Sequence, residues 1–217
     1  MLPNKFLRFV ILFVCIHLHL SAFAINIKTN TIIALTDSIL ISRVGEHLFP
    51  YFEISNEGTH YNYLASNKKL VSELLINKRK ITKKFNEIWV LYQFNYTKIE
   101  GVKSGIWIKL DANLALLEEP NLNAVPDFLI KDEPSNFITK HKAKEIAIQI
   151  FNGKNHTLSE PILEYSKKKE KYIYSIANKT IKINETEKIV ELEIIELDVF
   201  TGKLINKYES YNGLIEK

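Results

Sequence analysis

Residues 189–198 alternate, and the segment after them closes a hairpin. Val190, Leu192 and Ile194 fall on one side of an extended chain, with Glu191 and Glu193 on the other. Asp198 and then Thr201-Gly202 come next, and residues 203–208 run extended again. A period of two bounded by a Thr-Gly turn reads as two antiparallel strands. The alternation slips at Ile194-Ile195, leaving Leu197 in opposite phase. A slip of one predicts a bulge, or a strand end buried on both faces.

Upstream the period changes. Ala143, Ile146, Ala147, Ile150 and Phe151 recur at helical spacing, one apolar stripe on a helix. Thr139 is its expected N-cap, and Asn152-Gly153 its expected stop. The two alanines in the stripe allow close approach to a sheet. Short strands are expected over 161–165 and 171–177, separated by the solvated turn Lys167-Lys168-Lys169-Glu170. Residues 179–188 form a polar insertion before the long strand. A helix followed by antiparallel strands predicts an α+β fold, with the helix packed on an antiparallel sheet.

This layout over residues 138–208 resembles the PepSY family, small α+β domains of exported bacterial proteins and of thermolysin-type protease propeptides. The resemblance is carried by Ile138-Thr139, Ala143 and Ile146-Ala147, then by Asp198 with Thr201-Gly202-Lys203-Leu204. It implies an interaction module, not an enzyme. In propeptides such domains are associated with restraining a peptidase. No peptidase segment follows within the 217 residues, so the expectation is a partner in trans.

The first 24 residues read as a secretory signal. Lys5 and Arg8 precede an apolar run, and Ser21-Ala22-Phe23-Ala24 ends in an Ala-x-Ala cleavage pattern. The run is short of the ~20 residues that a membrane span needs. The expectation is a periplasmic or secreted protein beginning at Ile25, with no stable membrane span after cleavage. An uncleaved anchor is the other reading. Cleavage removes Cys15 and Met1, the only cysteine and methionine. Thiol catalysis and disulfides go with Cys15, so stability must come from a core. Removing Lys5 and Arg8 from 29 basic residues against 25 acidic leaves a net charge of +2, which gives no case for nucleic-acid binding.

Pro120, Pro126 and Pro134 mark a connector over 120–134 between an N-terminal α+β domain (25–119) and the PepSY-like domain (135–217). Phe128-Leu129-Ile130 within it is apolar, so the connector should pack on a domain surface. In the N-terminal half Asp37 or Ser38 is expected to cap a helix carrying Ile41, Val44, Gly45 and Leu48, ended by Phe49-Pro50. Residues 88–96 and 105–111 are expected strands, and 68–77 an extra helix with Leu70, Leu74 and Leu75 on it. Leu110-Asp111 precedes Leu117 as Leu197-Asp198 precedes Leu204, with Ala115 standing where Gly202 does. This leaves two readings: a divergent second PepSY-like repeat, or an unrelated α+β domain.

Chemistry-bearing constellations are sparse. His141 and Glu145 lie one helical turn apart, but two ligands make no dedicated metal site. Glu191, Glu193 and Glu196 read as strand surface. Ser72, Ser104 and Ser159 lack the setting of a nucleophile elbow. Asp198 is expected to cap the Thr201-Gly202 turn. The aromatics Trp89, Tyr92, Phe94, Tyr96 and Trp107 cluster on the N-terminal strands. Trp89 and Tyr96 are in opposite phase, so Trp89, Tyr96 and Trp107 form a candidate ligand surface. The expected function is non-catalytic and free of cofactor or metal: binding a protein or peptide in the envelope, a peptidase among the candidates. The alternative is a small-ligand carrier using the aromatic N-terminal sheet.

Overall fold

The computed structural model describes residues 26–151, 157–183 and 188–214. The expected cleavage site and the Asn152-Gly153 stop therefore lie outside the described residues. The elements run β1 (Ile27–Lys28), α1 (Thr29–Val44), β2 (Phe52–Ile54), β3 (His60–Leu64), β4 (Leu70–Leu74), β5 (Lys80–Ile81), β6 (Glu87–Asn95), β7 (Lys103–Asp111), α2 (Asp127–Ile130), α3 (Lys140–Phe151), β8 (Thr157–Leu158), β9 (Ile162–Ser166), β10 (Lys171–Ile183), β11 (Lys188–Asp198) and β12 (Leu204–Leu214). The fold is α+β and mostly antiparallel sheet. Contacts group the described residues up to Ile39 with Ser55–Leu91 and Ile108–Glu119 as one unit. Leu40–Ile54, Tyr92–Trp107 and the described residues from Pro120 on form the other. Among the described residues no helix is long and apolar enough to cross a membrane.

Helix α1 starts well before the expected cap at Asp37 or Ser38. Its buried stripe is Thr29, Ile32, Thr36, Leu40 and Val44. Two threonines interrupt the apolar pattern, which hides the first turns from a hydrophobicity reading. Thr36 is tolerated inside because its hydroxyl donates to the carbonyl of Ile33 at 3.0 Å. Gly45 lies past the helix end, not on its side, and its amide bonds Ile41 O at 2.8 Å. Phe49-Pro50 belongs to a separate 3-10 turn, Phe49–Tyr51.

The expected helix over 68–77 is also wrong. Lys68 takes a positive φ of 59° in a tight turn, and β4 pairs antiparallel with β3, Tyr63 opposite Val71 and Tyr61 opposite Glu73. Leu70 and Leu74 share a face in a helix and in a strand, so their spacing cannot separate the two. What favours the strand is Glu73, whose carboxylate accepts from the hydroxyls of Tyr61 (2.6 Å) and Tyr63 (2.8 Å) across the hairpin. Lys78 and Lys83 complete the cluster at 3.0 and 2.5 Å, and together these donors hold Glu73 well below the usual carboxylate range. Strand β4 ends the order β2-β6-β3-β4 and leaves Leu64, Leu70 and Leu74 exposed.

In the other unit β8 and β9 both pair with β10, which pairs with β11, and β11 with β12. Strand β10 continues through residues 179–183 and β11 begins at Lys188, so the described part of the expected polar insertion is strand. From Glu191 on, strand β11 keeps one phase: Ile195 and Leu197 are buried and share parity with Glu191 and Glu193, as does buried Val199 just past the strand. The irregularity falls later than expected, between Glu196 and Leu197, where Ile205 of β12 is left without a partner. Helix α3 buries Ala143, Ala147 and Phe151. Its end is tied to the sheet by Tyr174, whose hydroxyl donates to Ile138 O at 3.1 Å.

The two Asp-anchored turns differ by one residue. Asp198 N bonds Lys203 O at 2.9 Å, whereas Asp111 N bonds Ala115 O at 2.8 Å. The shorter loop puts its positive φ, 65°, on Leu114, so Ala115 is not the counterpart of Gly202 at 69°.

Candidate functional site

The connector builds the site. Pro126 opens α2, and Phe128 and Leu129 bury themselves, each stabilising the packed connector by roughly 1.5–3 kcal/mol. The helix stops in a Schellman arrangement: Glu133 N bonds Phe128 O at 2.7 Å and Asp132 N bonds Leu129 O at 3.2 Å, with Asp132 at φ 55°. Tyr172 of β10 fastens the segment to the sheet, its hydroxyl donating to Ala124 O at 2.7 Å. Burial pushes the Tyr172 phenol well above its ordinary range, with a smaller contribution from Tyr165.

Between α2, the β9–β10 turn and the turn after β11 lies a pocket of about 310 Å³. Its walls are aromatic. Phe137 stands edge-on to Phe128 (5.1 Å) and Phe200 (5.3 Å) and tilts against Tyr172 (5.5 Å), while Tyr165 meets Tyr172 edge-on at 5.3 Å. Phe200 is half exposed, at 48%. The charged residues Asp127, Lys131, Glu133, Glu170 and Lys171 also line it. Lys171 is engaged by Asp198 at 3.3 Å.

Asp198 governs this end of the sheet. Its Oδ1 accepts from the amides of Phe200 (3.1 Å) and Thr201 (3.0 Å) and from the Thr201 hydroxyl (2.9 Å). Burial alone would raise its pKa, but the Thr201, Lys171 and Phe200 bonds outweigh burial and hold the carboxyl below its ordinary value. Thr139 Oγ1 accepts from Lys142 N at 3.1 Å, capping α3, and Ile138 N donates to Val199 O at 2.7 Å. Thr139, Asp198, Thr201 and Gly202 thus gather at one end of this unit. They set the Phe200 ring at the pocket.

Trp89, Tyr96 and Trp107 do not line this pocket. Trp89 lies in the first unit, where its indole donates to Glu87 at 2.8 Å, its ring tilts on His60 at 5.5 Å, and Lys109 Nζ lies 4.5 Å from the ring centre. Tyr96 and Trp107 lie in the second unit, Tyr96 4.7 Å from the Tyr51 ring. His141 and Glu145 form an exposed 3.2 Å pair. Among the described residues no group of three His, Cys, Asp or Glu side chains is placed to hold a metal ion. The glutamates of β11 do not converge: Glu193 pairs with Lys207 at 2.6 Å and Glu196, on the other face, with Lys169. Ser72 donates to Asn62 at 2.6 Å, and Ser104 Oγ is buried without a hydrogen-bond partner.

The pocket aromatics carried no sequence signal as a set. Phe128 sits in the connector, Phe137 before α3, Tyr165 and Tyr172 on a hairpin, and Phe200 in a turn. Only the apolar Phe128-Leu129-Ile130 run among prolines pointed to this place. No family model and no curated protein matches the chain.

Proposed function

We propose that the chain is an exported, non-catalytic protein with a PepSY-like C-terminal part, which binds a protein or peptide in the cell envelope through the aromatic pocket. The observation that carries the reading is the pocket itself. Its volume is at the lower end for ligand sites, which suits one inserted side chain better than a bulky cofactor. Rigid aromatic rings supply contact area at small entropic cost, the property that favours them in binding centres. Asn, Asp, Glu, Lys and Tyr are its polar lining, side chains that can pair with the polar and charged groups of a bound peptide. A peptidase is the partner class implied by the PepSY resemblance, to which the Thr139 cap and the Asp198 turn lend support.

An array of unstructured decapeptides probed with the full chain tests this. A subset should retain the protein, and Phe200→Ala should lose that retention while remaining folded at the assay temperature, with a melt lowered by no more than a half-buried ring accounts for. Equal retention of both proteins, or of neither, refutes the reading.

A further inference from the structure

The rim of the pocket carries more acid than base. Asp127 is the first residue of α2 after the Pro126 cap, Glu133 follows its end and Glu170 sits on the β9–β10 turn, all three lining the cavity. Of its two lysines, Lys171 is engaged by Asp198 at 3.3 Å, which leaves Lys131 against three carboxylates. A ring that turns its face to the cavity adds to the same sign, because an aromatic face is negative and attracts a cation within about 6 Å of the ring centre. Tyr165 responds to this field: burial and then the charge of Glu170 push its phenol up. Glu170 is also held at φ 51°, a conformation that costs a side chain roughly 1–2 kcal/mol and that glycine or asparagine takes more readily. An anionic group would meet repulsion at the rim. A neutral apolar side chain would fill the cavity and gain nothing from the carboxylates.

We infer that the pocket receives a cationic side chain of the bound peptide, arginine above lysine, seated among the rings of Phe137, Tyr165, Tyr172 and Phe200 and met by Asp127, Glu133 and Glu170. The planar guanidinium stacks on rings and pairs with carboxylates at once, which an ammonium does less well. This rests on the peptide-binding reading above and narrows it to a peptide class.

The test uses three blocked pentapeptides, Gly-Gly-Xaa-Gly-Gly, with arginine, citrulline or leucine at the centre, titrated into the full chain by NMR. Citrulline keeps the shape of arginine without its charge. The arginine peptide should bind about tenfold more tightly than either control, the scale of a desolvated cation–aromatic contact. Phe200→Ala, at a half-exposed ring, should weaken it about fivefold to tenfold. Asp127→Asn with Glu170→Gln should abolish the preference over citrulline. Equal binding of citrulline or leucine overturns the cation inference and leaves peptide binding standing. An arginine preference unchanged in Phe200→Ala overturns it too, since the charge then sits outside the rings. Failure of all three peptides, where array peptides are retained, also overturns it; failure of both assays removes the peptide reading.

Discussion

Replacing Gly202 by alanine probes the turn that presents Phe200. Gly202 has φ +69°, which costs an L-residue roughly 1–2 kcal/mol. A Cβ there would lie 2.5 Å from Ile146 Cδ1 and 3.4 Å from Ile138 Cδ1. The first contact is too close to persist. It ends on a flexible methyl, so relief takes a rotamer shift in α3 and not a backbone move, at roughly 1–2 kcal/mol. Gly202→Ala should therefore destabilise the fold by about 2–4 kcal/mol. Ile146→Val deletes the clashing Cδ1 and alone should cost about 0.5–1.5 kcal/mol. Combined, the two should cost less than their sum by about 1 kcal/mol, a coupling that urea melts of the four proteins would resolve. Additive costs would mean that the strain is in the backbone alone. A neutral Gly202→Ala would refute the turn geometry altogether.

Three more outcomes rest on the same kind of geometry. At Gly101 (φ +93°) a Cβ would meet the Leu163 carbonyl oxygen at 2.1 Å, a backbone atom, so Gly101→Ala should destabilise more than Gly202→Ala in the same melts. Asp198→Asn should cost about 1–2 kcal/mol at neutral pH. Because the folded carboxyl is depressed, its contribution is full above the ordinary aspartate pKa of about 3.9 and is lost as pH falls through the lower folded value, so acid melts of variant and wild type should converge. Burial and then its bond to Glu73 push the Tyr61 phenol up to about 12. A raised phenol stabilises below its ordinary pKa of about 10 and loses that contribution as pH rises through 12, so Tyr61→Phe should flatten the alkaline fall in stability.

The C-terminal hairpin was legible because its signals are local. Alternation in residues 189–198 and a Thr-Gly turn need no distant partner, and the stripe on α3 is apolar throughout. The N-terminal errors share one cause, polar side chains satisfied by hydrogen bonds that a hydrophobicity reading does not score. Thr29 and Thr36 belong to a buried stripe only because their hydroxyls find carbonyls, at Lys78 and Ile33. Strand β4 is held in part by Glu73 reaching Tyr61 and Tyr63, a cross-strand polar contact that hydrophobic periodicity does not register. The pocket was harder still. Its rings converge only when the connector folds back onto β10, and the Tyr172–Ala124 bond that fastens it spans 48 residues. The aromatic strands drew attention to Trp89, whose ring and indole are already occupied by His60, Lys109 and Glu87.

Hydrogen exchange on the full chain, with and without a retained array peptide, tests the central claim most directly. Bound peptide should slow exchange at the amides of residues 125–137 and 165–172, which wall the pocket. Protection confined to residues 60–74, where β4 leaves Leu64, Leu70 and Leu74 exposed, would place the partner on the other unit and contradict the assignment of binding to the aromatic pocket.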